Sequence, residues 1–186
     1  MDLVVHAMQA IDRRGFLTGP TQASAERDQP LPIGHGQTNS QPTTVRNMLR
    51  LLEVREGDHI LDVGAGSGWT TALLAYLTGP SGSVVGVELL ADLATWGAAN
   101  LDRTGQQWAR IEVAQPGVLG WPDQAPYDRI LVSAEAPELP TALVEQLALG
   151  GLLVAPVAGR MLRVCRAGDG PPTVTTHGHY RFVPLR

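Results

Sequence analysis

Ten residues, Ile60-Leu61-Asp62-Val63-Gly64-Ala65-Gly66-Ser67-Gly68-Trp69, constrain this chain more than any other stretch. A short apolar run ends in alternating glycines and passes directly into Thr70 to Tyr76, Thr-Thr-Ala-Leu-Leu-Ala-Tyr, which carries good helix formers. The pattern predicts a strand, a tight turn and a helix. In that arrangement the backbone can approach a nucleotide-like ligand, and the N–H groups of the helix's first turn face the same space. Glycine spacing narrows the choice: Gly64, Gly66 and Gly68 alternate, whereas a dinucleotide fingerprint would place its third glycine at Trp69. A second apolar run, Val84-Val85-Gly86-Val87-Glu88, ends in an acid roughly 20 residues on, the separation at which a carboxylate can take a ribose hydroxyl pair.

Around this centre, strand-like and helix-like stretches alternate. Val4 to Arg14 has helical spacing and closes at Arg13-Arg14-Gly15. Residues 15–39 show no periodicity and many breakers, and Leu31 to Pro42 within them reads as an ordered lid over the ligand cleft. Ser40 or Gln41 is expected to cap the next helix, with Pro42 at its first position and Val45, Met48, Leu49 and Leu52 on one face. A helix over Asp92 to Arg103, strands at Ala109 to Ala114 and Tyr127 to Ser133, and a helix over Leu139 to Leu147 follow. Gly150-Gly151 should break that helix before a strand at Leu152 to Val157. The tail, Arg160 to Arg166, Thr173 to Thr176 and Tyr180 to Val183, is strand-like with turns between. The expectation is an α/β, doubly wound, mostly parallel sheet with an antiparallel C-terminal end and ligands beyond the strands' carboxyl ends. It forms a single domain over 1–186, with the N-terminal helix and lid in 1–42 and the core in 43–186.

Composition removes several function classes. The net charge is −4 and all fourteen cations are arginines, so nucleic-acid backbone binding is disfavoured and no lysine is present for a Schiff base. Cys165 is the single cysteine, which excludes an internal disulfide, and it reads as a small core hydrophobe. No apolar run approaches the roughly 18 residues that span a membrane. An acid at Asp2 replaces the basic start of a secretory signal, so a cytoplasmic location is expected; separately, a monomer is expected. His177 and His179 lack a third ligand at a suitable spacing, and no metal site is expected. Trp69 and Trp121 should flank the cleft, His35 sits in the lid, and Asp123, Glu135 and Glu138 receive no role.

Lid and glycine turn together resemble the protein-L-isoaspartate O-methyltransferase family of class I S-adenosylmethionine-dependent methyltransferases. The resemblance rests on Leu31-Pro32-Ile33-Gly34 and Gln37-Thr38-Asn39-Ser40-Gln41-Pro42, on Asp62 to Gly68, and on Ala125-Pro126-Tyr127-Asp128-Arg129-Ile130. Leu139-Pro140, Gln146-Leu147 with Gly150-Gly151, Ala155-Pro156-Val157 and Phe182-Val183-Pro184-Leu185 extend it over nearly the whole chain. It implies a Rossmann-like, seven-stranded fold and methylation of the α-carboxylate of L-isoaspartyl residues in damaged proteins or peptides. The ester then collapses to a succinimide that can reopen to aspartate.

By the same resemblance Ser40 is the catalytic residue. Cofactor binding falls to Gln37, Thr38, Asn39, Ser40, Asp62, Gly64, Ala65, Gly66, Ser67, Gly68, Glu88, Leu89, Gln115 and Pro116. The acceptor would be held by Ile33, Gly34, Thr38, Ser40, Val183 and Pro184. A carboxylate is already a nucleophile and a sulfonium is already activated, so alignment by a hydroxyl suffices and no strong base is needed. Three departures stand out. Asn39 occupies a position that is usually aliphatic, Gln115-Pro116-Gly117 replaces a Gly-Asp-Gly whose acid reads the adenine amine, and the chain ends directly after Val183-Pro184-Leu185-Arg186. Two alternatives stay open: methylation of an aspartyl carboxylate in one dedicated peptide, and a non-catalytic binding protein that keeps the fold.

Overall fold

A computed structural model describes residues 2–168 and 170–186. Its first helix, α1 (Leu3–Ala10), starts where the Asp2 carboxylate accepts the N–H groups of Val4 and Val5. The helix is shorter than its periodicity predicted, because the Asp12 side chain accepts the Arg14 N–H and starts a separate 3-10 turn over Arg13–Phe16. Residues 15–39 are likewise more ordered than their breakers suggested. They hold a short helix, α2 (Gly19–Gln22), and an antiparallel hairpin of β1 (Leu31–Gly34) and β2 (Gln37–Asn39). Its turn passes through positive φ at Gly34, His35 and Gly36, and only glycine does this without steric cost.

Helix α3 (Pro42–Leu52) buries Val45, Met48, Leu49 and Leu52, the face expected from its spacing. There follow β3 (His59–Val63), α4 (Trp69–Thr78), β4 (Ser83–Glu88), α5 (Ala91–Asp102), β5 (Ala109–Val113) and β6 (Tyr127–Val132), each within about two residues of its predicted bounds, the usual fraying uncertainty. Three more strands and a helix complete the chain: α6 (Thr141–Glu145), β7 (Leu147–Val157), β8 (Arg160–Cys165) and β9 (Thr173–His179).

Two expectations fail here. The helix predicted over Leu139 to Leu147 covers only Thr141–Glu145, and Gly150-Gly151 lies inside β7 rather than before it. The Tyr127 N–H takes the Gln146 carbonyl at 2.8 Å, which draws the chain into the sheet early. A Cβ on Gly151 would stand 2.9 Å from the Ala148 carbonyl oxygen and 3.0 Å from that of Tyr127, so this glycine permits a close backbone approach at an irregularity in the strand. The second failure is Tyr180 to Val183, which forms no strand. That segment runs to an isolated parallel bridge between Glu135 and Pro184.

The seven-stranded sheet has the order β5-β4-β3-β6-β7-β8-β9. The β3–β4, β3–β6, β4–β5 and β6–β7 pairs are parallel, and β7–β8 and β8–β9 are antiparallel. One face packs against α1, α3, α4 and Leu101 of α5; the other is covered by Leu143 of α6 with Leu119 and Trp121. This is the expected doubly wound architecture. Parallel strands buried on both faces explain the near-continuous apolar runs in β3, β4 and β6. Among the described residues no helix is long and apolar enough to cross a membrane, and no group of three or more His, Cys, Asp or Glu is arranged to hold a metal ion.

Candidate active site

A cavity of about 500 Å³ opens beyond the carboxyl ends of β3, β4 and β6, where ligands bind in open parallel sheets. Its floor is the turn after β3. Gly64 and Ala65 donate their N–H groups to the Val87 carbonyl, Gly68 donates to the Ala65 carbonyl, and Gly66 donates to Glu88 Oε2 at 2.9 Å. These four donors are therefore satisfied within the protein. A phosphate cradle needs such groups free, so the turn suits a ligand that packs on it without a phosphate.

Gly68 shows why the turn must be glycine. Its φ is +90°, and a Cβ there would lie 2.7 Å from the Gly97 carbonyl oxygen of α5. In return a Cβ on Gly97 would lie 2.5 Å from the Gly66 carbonyl oxygen. Turn and helix thus meet backbone to backbone, and nothing in the sequence marks Gly97 for this contact.

Glu88 ends β4, is 8% exposed and faces the cavity. Its carboxylate accepts from Gly66 and, through Oε1, from the Leu90 N–H at 3.0 Å. A carboxylate has about four acceptor directions, so lone pairs remain for a ligand's hydroxyls.

Asp62 is placed otherwise than the sequence suggested. It is fully buried, lies off the cavity wall, and its Oδ2 accepts the hydroxyls of Thr70 and Thr71 at 2.7 Å each. Oδ1 has no partner. Burial pushes its carboxyl up to about 6, the two threonine hydroxyls pull it down, and the Glu88 charge adds a further push upward. Because the folded form holds this proton more tightly than the unfolded chain, Asp62's own contribution to stability is full below the ordinary carboxylate range and is lost as pH rises from about 4 to about 6. Asp62→Asn should remove that slope, on the order of 2 to 3 kcal/mol. Denaturant unfolding across this window checks it, and identical pH profiles for variant and parent would contradict it.

The lid forms the opposite wall. Ile33, Gln37, Thr38, Asn39 and Ser40 all line the cavity, as do Gly64, Ala65, Gly66, Ser67, Leu89, Gln115, Val183 and Pro184. Gly34, Gly68 and Pro116 do not line it, and neither does the buried Asp62. Asn39, the unusual lid residue, is buried and donates through Nδ2 to Ser67 Oγ at 3.1 Å, a link from lid to glycine turn that an aliphatic could not make. Ser40 is half-buried and does not cap α3. Gln41 holds the cap position without a side-chain bond, and the Thr43 N–H goes to Asp28 Oδ1 at 2.8 Å. Trp69 lines the cavity and donates Nε1 to the Ile11 carbonyl, whereas Trp121 packs beneath the sheet and His35 lies off the wall.

Several contributors received no site role from the sequence. Glu135 accepts the N–H groups of Gly159 and Phe182 with its carboxylate and pairs through its backbone with Val183 and Leu185, so it holds the C-terminal wall. Gln146 pins the far rim by accepting the Trp121 N–H and donating to the Leu119 carbonyl. Ser133 and Ala134, on the wall just after β6, were findable from their place at a parallel strand's carboxyl end.

Comparison with known proteins agrees with this geometry. The family model described as protein-L-isoaspartate(D-aspartate) O-methyltransferase matches residues 1–186. A protein-L-isoaspartate O-methyltransferase of Aeropyrum pernix is 45% identical over 186 residues, covering 98% of this chain and 72% of its own length. One from Anaeromyxobacter dehalogenans is 44% identical over 188 residues, covering 98% of this chain and 88% of its own. A Plasmodium falciparum crystal structure described as a protein-L-isoaspartate O-methyltransferase in complex with S-adenosyl-L-homocysteine superposes with a TM-score of 0.87 at 26% identity, covering 100% of this chain and 91% of that one. The chain belongs to the protein-L-isoaspartate(D-aspartate) O-methyltransferase family.

Proposed function

We propose that this protein transfers the methyl group of S-adenosylmethionine to the free α-carboxylate of L-isoaspartyl residues in damaged proteins and peptides. The observation that carries the reading is the shared cavity: a glycine turn in which the N–H groups of Gly64, Ala65, Gly66 and Gly68 are already bonded, the Glu88 carboxylate and the Ser40 lid segment all face one space. The fit to this cofactor is chemical. It is a nucleoside without phosphate, which matches a turn whose four glycine and alanine donors are already used, and its ribose diol matches the remaining lone pairs of Glu88.

When bound, S-adenosylmethionine supplies a methyl group activated by positive sulfur. Glu88 would hold the ribose hydroxyls, the Gly64 to Ser67 turn would pack against the nucleoside, and Gln115 would offer adenine a neutral amide, since all of them line the cavity. Asp62, one layer behind, supports the turn through Thr70 and Thr71. Ser40 would donate its hydroxyl to one oxygen of the isoaspartyl carboxylate and so orient the other for transfer, while Ile33, Thr38, Val183 and Pro184 on the cavity wall would exclude water that blunts the nucleophile. No proton moves in the transfer, so no base is required. Residues 1–42 act as N-terminal helix and lid on a 43–186 core, and the enzyme works as a cytoplasmic monomer without nucleic-acid or membrane partners.

Calorimetric titration with S-adenosylhomocysteine tests the cofactor half of this reading. Glu88→Ala should weaken binding by about 1.5 to 3 kcal/mol, since charge-assisted hydrogen bonds to the ribose are lost. Wild-type affinity in the folded variant would mean that the ribose is held elsewhere.

A further inference from the structure

Arg13 follows α1 in the 3-10 turn, is 5% exposed, and has every guanidinium nitrogen engaged. Nε donates to Asn39 Oδ1 at 2.7 Å. Nη1 donates to the carbonyls of Ala25 and Arg27, and Nη2 to those of Gln29, Asn39 and Ser40, at 2.9 to 3.2 Å. The guanidinium carbon also lies 5.5 Å from the ring centroid of Trp69, itself on the cavity wall. From Asn39 the chain of bonds continues through Nδ2 to Ser67 Oγ, and the Ser67 carbonyl accepts from Asn100 Nδ2 at 2.9 Å.

A buried cation satisfied by carbonyls alone is a costly way to hold a fold together, because apolar packing can serve stability as well. What a guanidinium adds is direction: a rigid planar fork that fixes several acceptors at once, which neither lysine nor an apolar residue reproduces. Here one Nη2 group grips the carbonyls of both Asn39 and Ser40, so the peptide units on either side of Ser40 are held by a residue that does not itself line the cavity.

We propose that Arg13 is a positioning residue for methyl transfer. It fixes the Asn39–Ser40 backbone so that the Ser40 hydroxyl meets the acceptor carboxylate in one orientation, and through Asn39 it locks the lid to Ser67 of the glycine turn. The inference rests on the reading of Ser40 as the aligning group. Its consequence is that acceptor wall and cofactor wall form one bonded unit, and loosening Arg13 misaligns the reaction without removing any group that touches either substrate.

The test compares Arg13→Lys with the parent and with Ser40→Ala, using S-adenosylmethionine and an isoaspartyl peptide well below each protein's unfolding temperature. Active concentration is set by the stoichiometry of S-adenosylhomocysteine binding. The expected result is a kcat lowered about 10- to 100-fold, a proportionally smaller rise in peptide KM, and cofactor affinity within about threefold of the parent. A purely structural Arg13 would lower the melting temperature and leave kcat per binding-competent molecule within about twofold of the parent, which overturns the proposal. If Arg13→Lys does not fold, Asn39→Ala, which strips the Nε acceptor and the Ser67 link, is expected to lose at least about fivefold in kcat, and a kcat within about twofold of the parent overturns the proposal. An unimpaired Ser40→Ala would fell the Ser40 reading and this proposal with it, whereas an impaired Ser40→Ala beside an unimpaired Arg13→Lys would fell only this proposal.

Discussion

Ser40→Ala is expected to lower the single-turnover rate of methyl transfer to an isoaspartyl peptide by about 10- to 1000-fold, the range for losing one aligning hydrogen bond. Cofactor affinity should change far less. The competing role for a serine just before a helix is capping, whose loss would cost about 1 kcal/mol of stability and spare the rate. Asp28 already takes the Thr43 N–H, so the melting temperature should scarcely move. Asp28 is held below the usual carboxylate range, first by that N–H and then by the Gln41 and Thr43 side chains, as expected of a group acting as the cap. An unchanged rate with a lowered melting temperature would remove Ser40 from the chemistry.

Gly66→Val should abolish cofactor binding. Gly66 has φ +54°, and a Cβ there would touch Ile33 Cδ1 at 3.4 Å on the facing lid. A β-branched residue in this left-handed region is strained by about 1 to 3 kcal/mol, and relieving the strain moves the N–H that Glu88 accepts. Floor, lid and ribose ligand would shift together. The measurement is calorimetry on a variant shown to be folded by its unfolding transition, and retained binding would show that the cofactor does not rest on this turn.

The sequence made the centre of the fold legible because parallel strands buried on both faces leave unbroken apolar runs, as in Ile60 to Val63 and Val84 to Val87, with turn chemistry at their ends. It misled where a local signal had a tertiary cause. Gly150-Gly151 looked like a helix stop, yet Gly151 is required by the carbonyls of Ala148 and Tyr127 inside a strand. Arg13 looked like one of two cations closing a helix, and only the folded lid reveals that it is buried among carbonyls while neighbouring Arg14 stays exposed. Of the candidate site, Glu88 and the lid segment were readable from spacing and resemblance. Asp62 was not, because a motif gives a residue's place in the chain and cannot tell the wall of a cavity from the layer behind it.

Selectivity for one carboxylate defines the proposed reaction, and a paired assay tests it most directly. Methyl incorporation from S-adenosylmethionine is measured on a peptide with a single isoaspartyl residue and on its otherwise identical aspartyl twin. Incorporation confined to the isoaspartyl peptide is the predicted result. Equal or preferential labelling of the aspartyl twin, or binding of cofactor with no transfer to either peptide, would contradict it.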